Sequence, residues 1–286
     1  MKIIKKIRRT LSNYTWDLAY GDYDEDLLLR KGEMGKLHII KNPYKTKWFA
    51  DPFILNVHSQ KVCLLVEEFD SNVKRGRIAK ITIDRLTDTI VDCKIVLDTQ
   101  THLSFPVIYT INDKIYVHPE NSASGNSYIY EYDKTTESLV HPALLVNEPL
   151  VDPVIVQDNG RYIMCATRVP DTCGRFLEMY ESADFFGPYE RIRSIDYKRK
   201  EARMAGNFIK TSWGLIRPAQ DCNHNYGEAV LFYKNLSKIS EIRPHMCKYE
   251  GVHTFNKVDN FYVVDLKKYA FPLIHRVLKR INRLMS

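Results

Sequence analysis

A hairpin that recurs five times constrains this 286-residue chain more than any other feature. Asp51-Pro-Phe-Ile-Leu, a polar turn and Val62-Cys-Leu-Leu-Val end in Glu67-Glu68; Phe105-Pro-Val-Ile-Tyr, the turn Asn112-Asp-Lys and Ile115-Tyr-Val end in His118-Pro-Glu120. Asp152-Pro-Val-Ile-Val, the turn Asp158-Asn-Gly and Tyr162-Ile-Met-Cys-Ala end in Arg168; a fourth copy begins at Ala205-Gly and runs into Arg217. Val252-His-Thr-Phe, the turn Val258-Asp-Asn and Phe261-Tyr-Val-Val end in Asp265. Short apolar runs bounded by turn residues read as strands, and the copies start roughly 45 to 55 residues apart, the period of a blade of about four strands. The sequence therefore predicts an all-β fold, a five-bladed β-propeller over residues 48–266.

A propeller lines its central channel with the first strand of each blade. Proline at a strand start costs no ladder hydrogen bond, so the residues beside the prolines are expected to ring one channel mouth: Asp51, Phe105, Asp152, Ala205 or Gly206, and His253. The residues closing the second strands, Glu67, Glu120, Arg168, Arg217 and Asp265, either face the same pocket or form salt bridges between blades. The densest polar stretch, Arg217-Pro-Ala-Gln-Asp-Cys-Asn-His-Asn-Tyr-Gly227, joins two strands of the fourth blade. Buried charges and amides are costly unless paired, so this density marks a site or a heavily hydrogen-bonded turn.

The formal charge of +7 is misleading until it is divided. Residues 1–11 carry five basic side chains and no acid, and residues 267–286 carry six and no acid; setting those eleven aside leaves a body of −4. Nucleic-acid binding wants basic residues on the folded face, so no nucleic-acid partner is expected. Ile3, Ile4, Ile7 and Leu11, and Ile274, Val277, Leu278, Ile281 and Leu284, fall at helical spacing between the basic residues. Short basic amphipathic helices are thus predicted within 1–47, which also holds a lead-in, and over 267–286. Such helices suit an anionic membrane surface; the alternative is that each packs its apolar stripe on the propeller. Arg9 is followed by a polar run rather than an apolar signal core, and no stretch approaches the roughly 20 apolar residues of a spanning helix. Six cysteines without a CxxC pair fit a reducing compartment. A cytoplasmic protein, peripheral at the inner face of the membrane, is the expectation. Only Cys222 with His224 approaches metal-ligand spacing, and neither a metal nor another cofactor is expected.

Trp48-Phe-Ala-Asp-Pro-Phe, His102-Leu-Ser-Phe-Pro, Pro119-Glu-Asn-Ser, Asp152-Pro-Val-Ile-Val, Phe186-Gly-Pro-Tyr, Ala202-Arg-Met-Ala-Gly and Arg217-Pro-Ala-Gln-Asp-Cys with Tyr226-Gly come in one order across residues 48–235. In that order they resemble the N-terminal region of plant glucosamine inositolphosphorylceramide transferases. The last blade departs from the family pattern, since Gly251-Val-His-Thr-Phe-Asn keeps one histidine where a paired His-His-Leu-Asp is usual. The plant proteins also carry a separate glycosyltransferase domain without a counterpart in these residues, so their activity is not carried across directly. More distantly the chain is similar to the five-bladed propellers of glycoside hydrolase family 43 and its mannoside-phosphorylase relatives. In those hydrolases an Asp of the first blade is the base, a second Asp tunes and orients, and a Glu of a later blade is the acid. Asp51 and Asp152 resemble the first two. Arg203-Met-Ala-Gly stands where the acid would begin the fourth blade, which leaves Glu120, Glu201 or Asp221 for that role.

Chemistry at an anomeric carbon needs one protonated and one ionised carboxyl across the scissile bond. Arg168, Arg203 and Arg217 are planar donors suited to phosphate or carboxylate, so acids beside three arginines fit a sugar phosphate, a nucleotide sugar or an acidic sugar better than a neutral glycan. Gln220, Tyr226, His102 and His253 would read hydroxyls, unless Gln220 and Tyr226 are engaged in turn hydrogen bonds. Three functions remain open: glycosyl transfer from an activated donor in surface-polysaccharide assembly, with a lipid-linked acceptor; hydrolysis or phosphorolysis of the family 43 type; and sugar recognition without catalysis.

Overall fold

The computed structural model describes residues 13–270. Their strands are β1 (Asn13–Asp22) and β2 (His38–Ile39), then β3 (Lys47–Val57), β4 (Lys61–Asp70), β5 (Gly76–Asp84) and β6 (Thr89–Leu97). There follow β7 (Ser104–Ile111), β8 (Lys114–Glu120), β9 (Ser127–Asp133) and β10 (Ser138–Val146), then β11 (Leu150–Asp158), β12 (Arg161–Arg168), β13 (Phe176–Ser182) and β14 (Glu190–Asp196). The chain continues through β15 (Ile209–Thr211), β16 (Gly214–Asp221), β17 (Ala229–Lys234) and β18 (Ser237–Ile242) to β19 (Gly251–Val258) and β20 (Phe261–Ala270). They form five four-stranded sheets: β3 to β6, β7 to β10, β11 to β14, β15 to β18, and a composite sheet in the order β19, β20, β1, β2. This is the five-bladed propeller that the repeat predicts.

The composite blade differs from the expected boundaries. β1 pairs antiparallel with β20 along its whole length, from Asn13 opposite Ala270 to Asp22 opposite Phe261. Part of the presumed lead-in, and residues 267–270, are therefore strand. Tyr14-Thr-Trp-Asp-Leu-Ala-Tyr20 has the period-2 alternation of a strand, with Trp16, Leu18 and Tyr20 buried. Pairing the two ends of the described chain in one blade closes the ring without leaving an unpaired edge at β20. The predicted helices over residues 3–11 and 274–285 lie outside the described residues. A five-residue helix, α1 (Glu25–Leu29), is capped by Asp24, whose carboxylate accepts the Leu27 N–H, and it buries Leu28 and Leu29 against the fourth and fifth blades.

Turn chemistry sets the hairpin registers. Asn112 and Asp113 link β7 to β8 with φ of 49° and 64°, and Asn159 and Gly160 link β11 to β12 with 47° and 77°. Two consecutive positive φ values define the turn whose twist matches paired strands, and Asn, Asp and Gly tolerate them best. Apolar residues from neighbouring sheets pack between blades: Leu65, Ile78 and Val96 against Val117 and Tyr130, Ile129 and Leu145 against Ile155 and Met164.

Candidate functional site

Four first strands share one distortion. Asp51-Pro52, Phe105-Pro106, Asp152-Pro153 and His253-Thr254 each set two residues against one of the neighbouring strand, a bulge that bends the strand and re-aims side chains. Asp51, Phe105 and Asp152 hold φ of 49°, 45° and 49°, a left-handed conformation that costs energy for residues bearing a side chain and recurs at functional sites. In these three blades the second bulge residue is proline, which has no N–H to satisfy, and the residue opposite is Val66, Pro119 or Ala166. In the fifth blade Thr254 takes the proline's place and Asp265 sits opposite. Its carboxylate accepts the N–H of His253 at 3.1 Å, of Thr254 at 3.0 Å and, across the blade boundary, of Asp51 at 3.0 Å.

Asp265, His253 and Asp51 form a line. His253 Nδ1 lies 2.7 Å from Asp265 Oδ1 and Nε2 lies 3.3 Å from Asp51 Oδ1. Asp51 Oδ1 also accepts the Thr254 hydroxyl at 2.6 Å, and Oδ2 accepts the Phe105 N–H at 3.2 Å. Burial pushes the Asp51 carboxyl up to about 6, against the opposing pull of His253. Burial pulls His253 down, yet Asp265 and Asp51 outweigh it and raise its pKa. The imidazole is stacked on Trp16 with ring centres 3.9 Å apart. Ligand atoms of Asp51, His253 and Asp265 lie within 4.8 Å of one another, close enough to be tested as a cation site. Both ring nitrogens already face carboxylates and Asp265 already takes three backbone donors, so a proton-bridged network suits these groups without a metal.

Asp152 is handled differently. Its Oδ2 accepts Arg203 Nε at 2.6 Å and Gln220 Nε2 at 2.8 Å, and its Oδ1 accepts Arg203 Nη2 at 3.2 Å. Gln220 Nε2 also donates to the Met204 carbonyl at 2.8 Å. The Arg203 guanidinium lies 5.1 Å from the centre of the Tyr226 ring, whose edge meets His253. The two aspartates thus share one layer, joined through Tyr226.

Glu67 and Glu120 complete the layer. The pairing of β3 with β4 sets Glu67 opposite Ala50, next to Asp51, and that of β7 with β8 sets Glu120 opposite Ser104. Burial, followed by the charges of Asp51, Glu120, Asp265 and Asp152, raises the Glu67 carboxyl well above its ordinary value. Glu120 is also raised, by burial first and Asp152 next, while its carboxylate accepts the Ser122 N–H at 2.9 Å and the Ser104 hydroxyl at 3.3 Å. His102 Nδ1 accepts the Gly76 N–H at 2.9 Å, which leaves Nε2 to carry the ring proton toward Glu67 at 3.4 Å. Burial and Arg203 hold His102 below its usual pKa, and its side chain is 43% exposed, so it is the layer's neutral, solvent-facing donor.

Asp51, Asp152, Glu120, His102, Arg203, Gln220, Tyr226 and His253 are brought together. Four of the sequence candidates are not. Arg217 is buried between the rings of Tyr197 and Tyr233, 4.8 Å from each centre, and donates to the Ala202 and Glu201 carbonyls; it braces the Glu201–Arg203 segment. Arg168 pairs with Glu148 at 2.8 Å in a half-buried contact. Asp221 pairs with Arg243 at 3.0 Å and accepts from Asn223, and Glu201 is held by Arg199, Asn223 and Tyr233. Cys222 contacts Gln220 while His224 turns outward to Glu228, so the two do not converge on a metal. Trp16 and Thr254 were not among the candidates: Trp16 lies on a strand read as lead-in, and Thr254 is identified only by the bulge.

A family model for the N-terminal region of glucosamine inositolphosphorylceramide transferase 1 matches residues 37–253. The glucosamine inositolphosphorylceramide transferase 1 of Oryza sativa subsp. japonica is 28% identical over 198 residues, covering 67% of this chain and 26% of that protein. Its namesake from Arabidopsis thaliana is 30% identical over 193 residues, covering 65% and 25%. The chain thus spans about a quarter of the length of the curated relatives it matches. Among solved structures, the catalytic domain of the Coprinopsis cinerea GH62 α-L-arabinofuranosidase superposes with a TM-score of 0.56 at 8% identity, covering 89% of this chain and 98% of that one. An α-L-arabinofuranosidase from Podospora anserina in complex with cellotriose gives 0.53 at 9% identity, covering 78% and 90%. At such identities the likeness concerns the fold.

Proposed function

The chain belongs to the family defined by the N-terminal region of glucosamine inositolphosphorylceramide transferase 1, and from that premise we propose a carbohydrate-active propeller of glycan assembly that transfers a glycosyl group from an activated donor. The observation that carries the proposal is the register of β3 with β4, which sets Glu67 opposite Ala50 and so beside Asp51 on the adjoining strand. The fold holds Asp51 near 6, ionised at neutral pH, and holds Glu67 toward its protonated form. One carboxyl ionised and its neighbour held toward its protonated form is what acid–base chemistry at an anomeric carbon requires. Asp51 takes the proton of the attacking acceptor hydroxyl, Glu67 donates to the oxygen that departs, and the anomeric carbon exchanges one C–O bond for the other. Asp265 and His253 orient Asp51, while His102 and Tyr226 read sugar hydroxyls. The relatives' name supports a lipid-linked acceptor, and the basic ends fit a cytoplasmic protein held at an anionic membrane surface.

A second reading has its own observation. Arg203 and Gln220 occupy both oxygens of Asp152, and a funnel with one aspartate so engaged suits sugar recognition without catalysis. Water as acceptor at the same acid–base pair gives the hydrolase alternative. A screen of nucleotide sugars against free oligosaccharides, read by heat stabilisation and by donor consumption, separates the three. Transfer expects stabilisation and consumption of one nucleotide sugar. Stabilisation without consumption supports recognition, and consumption of an oligosaccharide supports hydrolysis.

A further inference from the structure

Beside the funnel, separated from it by Trp16 and Tyr226, lies a cleft of about 1250 Å³ between the fifth and first blades. Its charge is one-sided. Lys41, Lys45, Lys47, Lys267 and Lys268 line it, with Asp17 as the acid among its lining residues. Asp17 is engaged by Lys268 at 2.5 Å, and Lys47 turns to Glu68 at 2.7 Å. Lys41 donates to the Thr87 carbonyl at 2.8 Å, and neither it nor the exposed Lys45 pairs with a carboxylate among the described residues. The walls are aromatic. Trp48 is stacked on Phe69 with ring centres 4.8 Å apart and planes within 7°, which fixes the orientation of the indole. The Lys267 ammonium is buried 4.6 Å from the Tyr14 ring centre and donates to the Tyr226 carbonyl at 2.6 Å.

We propose that this cleft binds an anionic glycan, a run of sugar residues bearing phosphate or carboxylate, and delivers its end to the funnel as acceptor. Flat aromatic faces match the apolar C–H face of a pyranose, and lysines are mobile point charges for anionic oxygens. The wall is shared: Trp16 stacks on His253 and Tyr226 lies under Arg203, so a chain held in the cleft lies against the other side of the wall that bounds the layer of Asp51. Charge argues against the chain's own ends as occupants, since residues 1–11 and 271–286 carry nine basic side chains and no acid.

The acceptor assignment rests on the transfer reading; the binding itself does not. Tryptophan fluorescence of the full chain reads it, because two of its three tryptophans, Trp16 and Trp48, line the cleft. The probes are tetragalacturonate, maltotetraose phosphorylated at one C6 hydroxyl, neutral maltotetraose and an eight-residue oligothymidylate. An anionic sugar probe is expected to bind at least about tenfold more tightly than maltotetraose, with Lys45→Glu removing about tenfold of that affinity. Trp48→Ala should lose most of the quench. The proposal is overturned if both anionic sugar probes bind no better than maltotetraose, or if oligothymidylate binds more tightly than either. It is also overturned if removing residues 271–286 raises the affinity, which would make the chain's own end the occupant. Donor stabilisation without cleft binding defeats this inference alone, whereas cleft binding without a donor defeats the transfer reading alone.

Discussion

Asp51 and Asp152 occupy the same bulge position of two blades with the same φ of 49°, and the fold treats them in opposite ways. Asp152 meets a guanidinium fork and an amide, a fixed cation that holds the carboxylate in place. Asp51 meets a hydroxyl, a backbone N–H and an imidazole backed by a second carboxylate, and the imidazole can exchange a proton with it. One backbone position thus serves as an anchor in the third blade and as a titrating group in the first. The difference lies in which side chains the neighbouring blades supply.

The largest expected effect breaks the titrating half. Asn is at home at positive φ and keeps an acceptor oxygen, so Asp51→Asn should lower turnover by about 10² to 10⁴ without lowering the melting temperature at neutral pH. A lower melting temperature with unchanged turnover would make Asp51 a structural cap instead. The anchored half should respond the other way. Arg203→Met leaves Asp152 buried without its cation, a type of loss that costs about 3–5 kcal/mol; chemical denaturation should show that loss, and a second change, Asp152→Leu, should restore much of it.

A smaller effect sharpens the contrast through pH. Asp51 is raised in the fold from 3.8 to about 6, so the stability tied to its protonated form is complete below about 4 and lost as pH rises through 6. His253 is raised above 6.5, so its contribution is present below that value and lost as pH climbs through its folded pKa. Both signs agree: the melting temperature should fall between pH 5 and pH 8, and Asp51→Asn should flatten the part of the slope below about pH 6. The smallest effect concerns the ends. With about 1 kcal/mol per basic residue near an anionic surface, deleting residues 271–286 should weaken sedimentation with anionic vesicles at low salt without unfolding the propeller. Sedimentation unaffected by the deletion would leave residues 271–286 no membrane role.

The blade repeat was legible because strand alternation and Asn/Asp/Gly turns are local signals, and Asp51, Asp152 and His253 were found because the repeat aligned them. The closing strand escaped notice despite the alternation of Tyr14, Trp16, Leu18 and Tyr20, since its partner β20 lies some 250 residues away in sequence, opposite it from Asn13 to Asp22. Arg217 and Asp221 were drawn into the site by the polarity of their stretch, yet polarity does not say which charge meets which. Arg217 found two tyrosine faces and Asp221 found Arg243, partners fixed by the packing of the third and fourth blades. The raised pKa values of Asp51 and Glu67 arise from burial in the closed ring, which the spacing of residues does not encode.

One measurement tests the division between the two aspartates most directly: single-turnover consumption and equilibrium binding of the stabilising nucleotide sugar by wild type and Asp51→Asn, side by side. Equal binding with consumption slowed by about 10² or more is the predicted result. Equal binding with no consumption by either protein would contradict it and make the funnel a site of recognition alone.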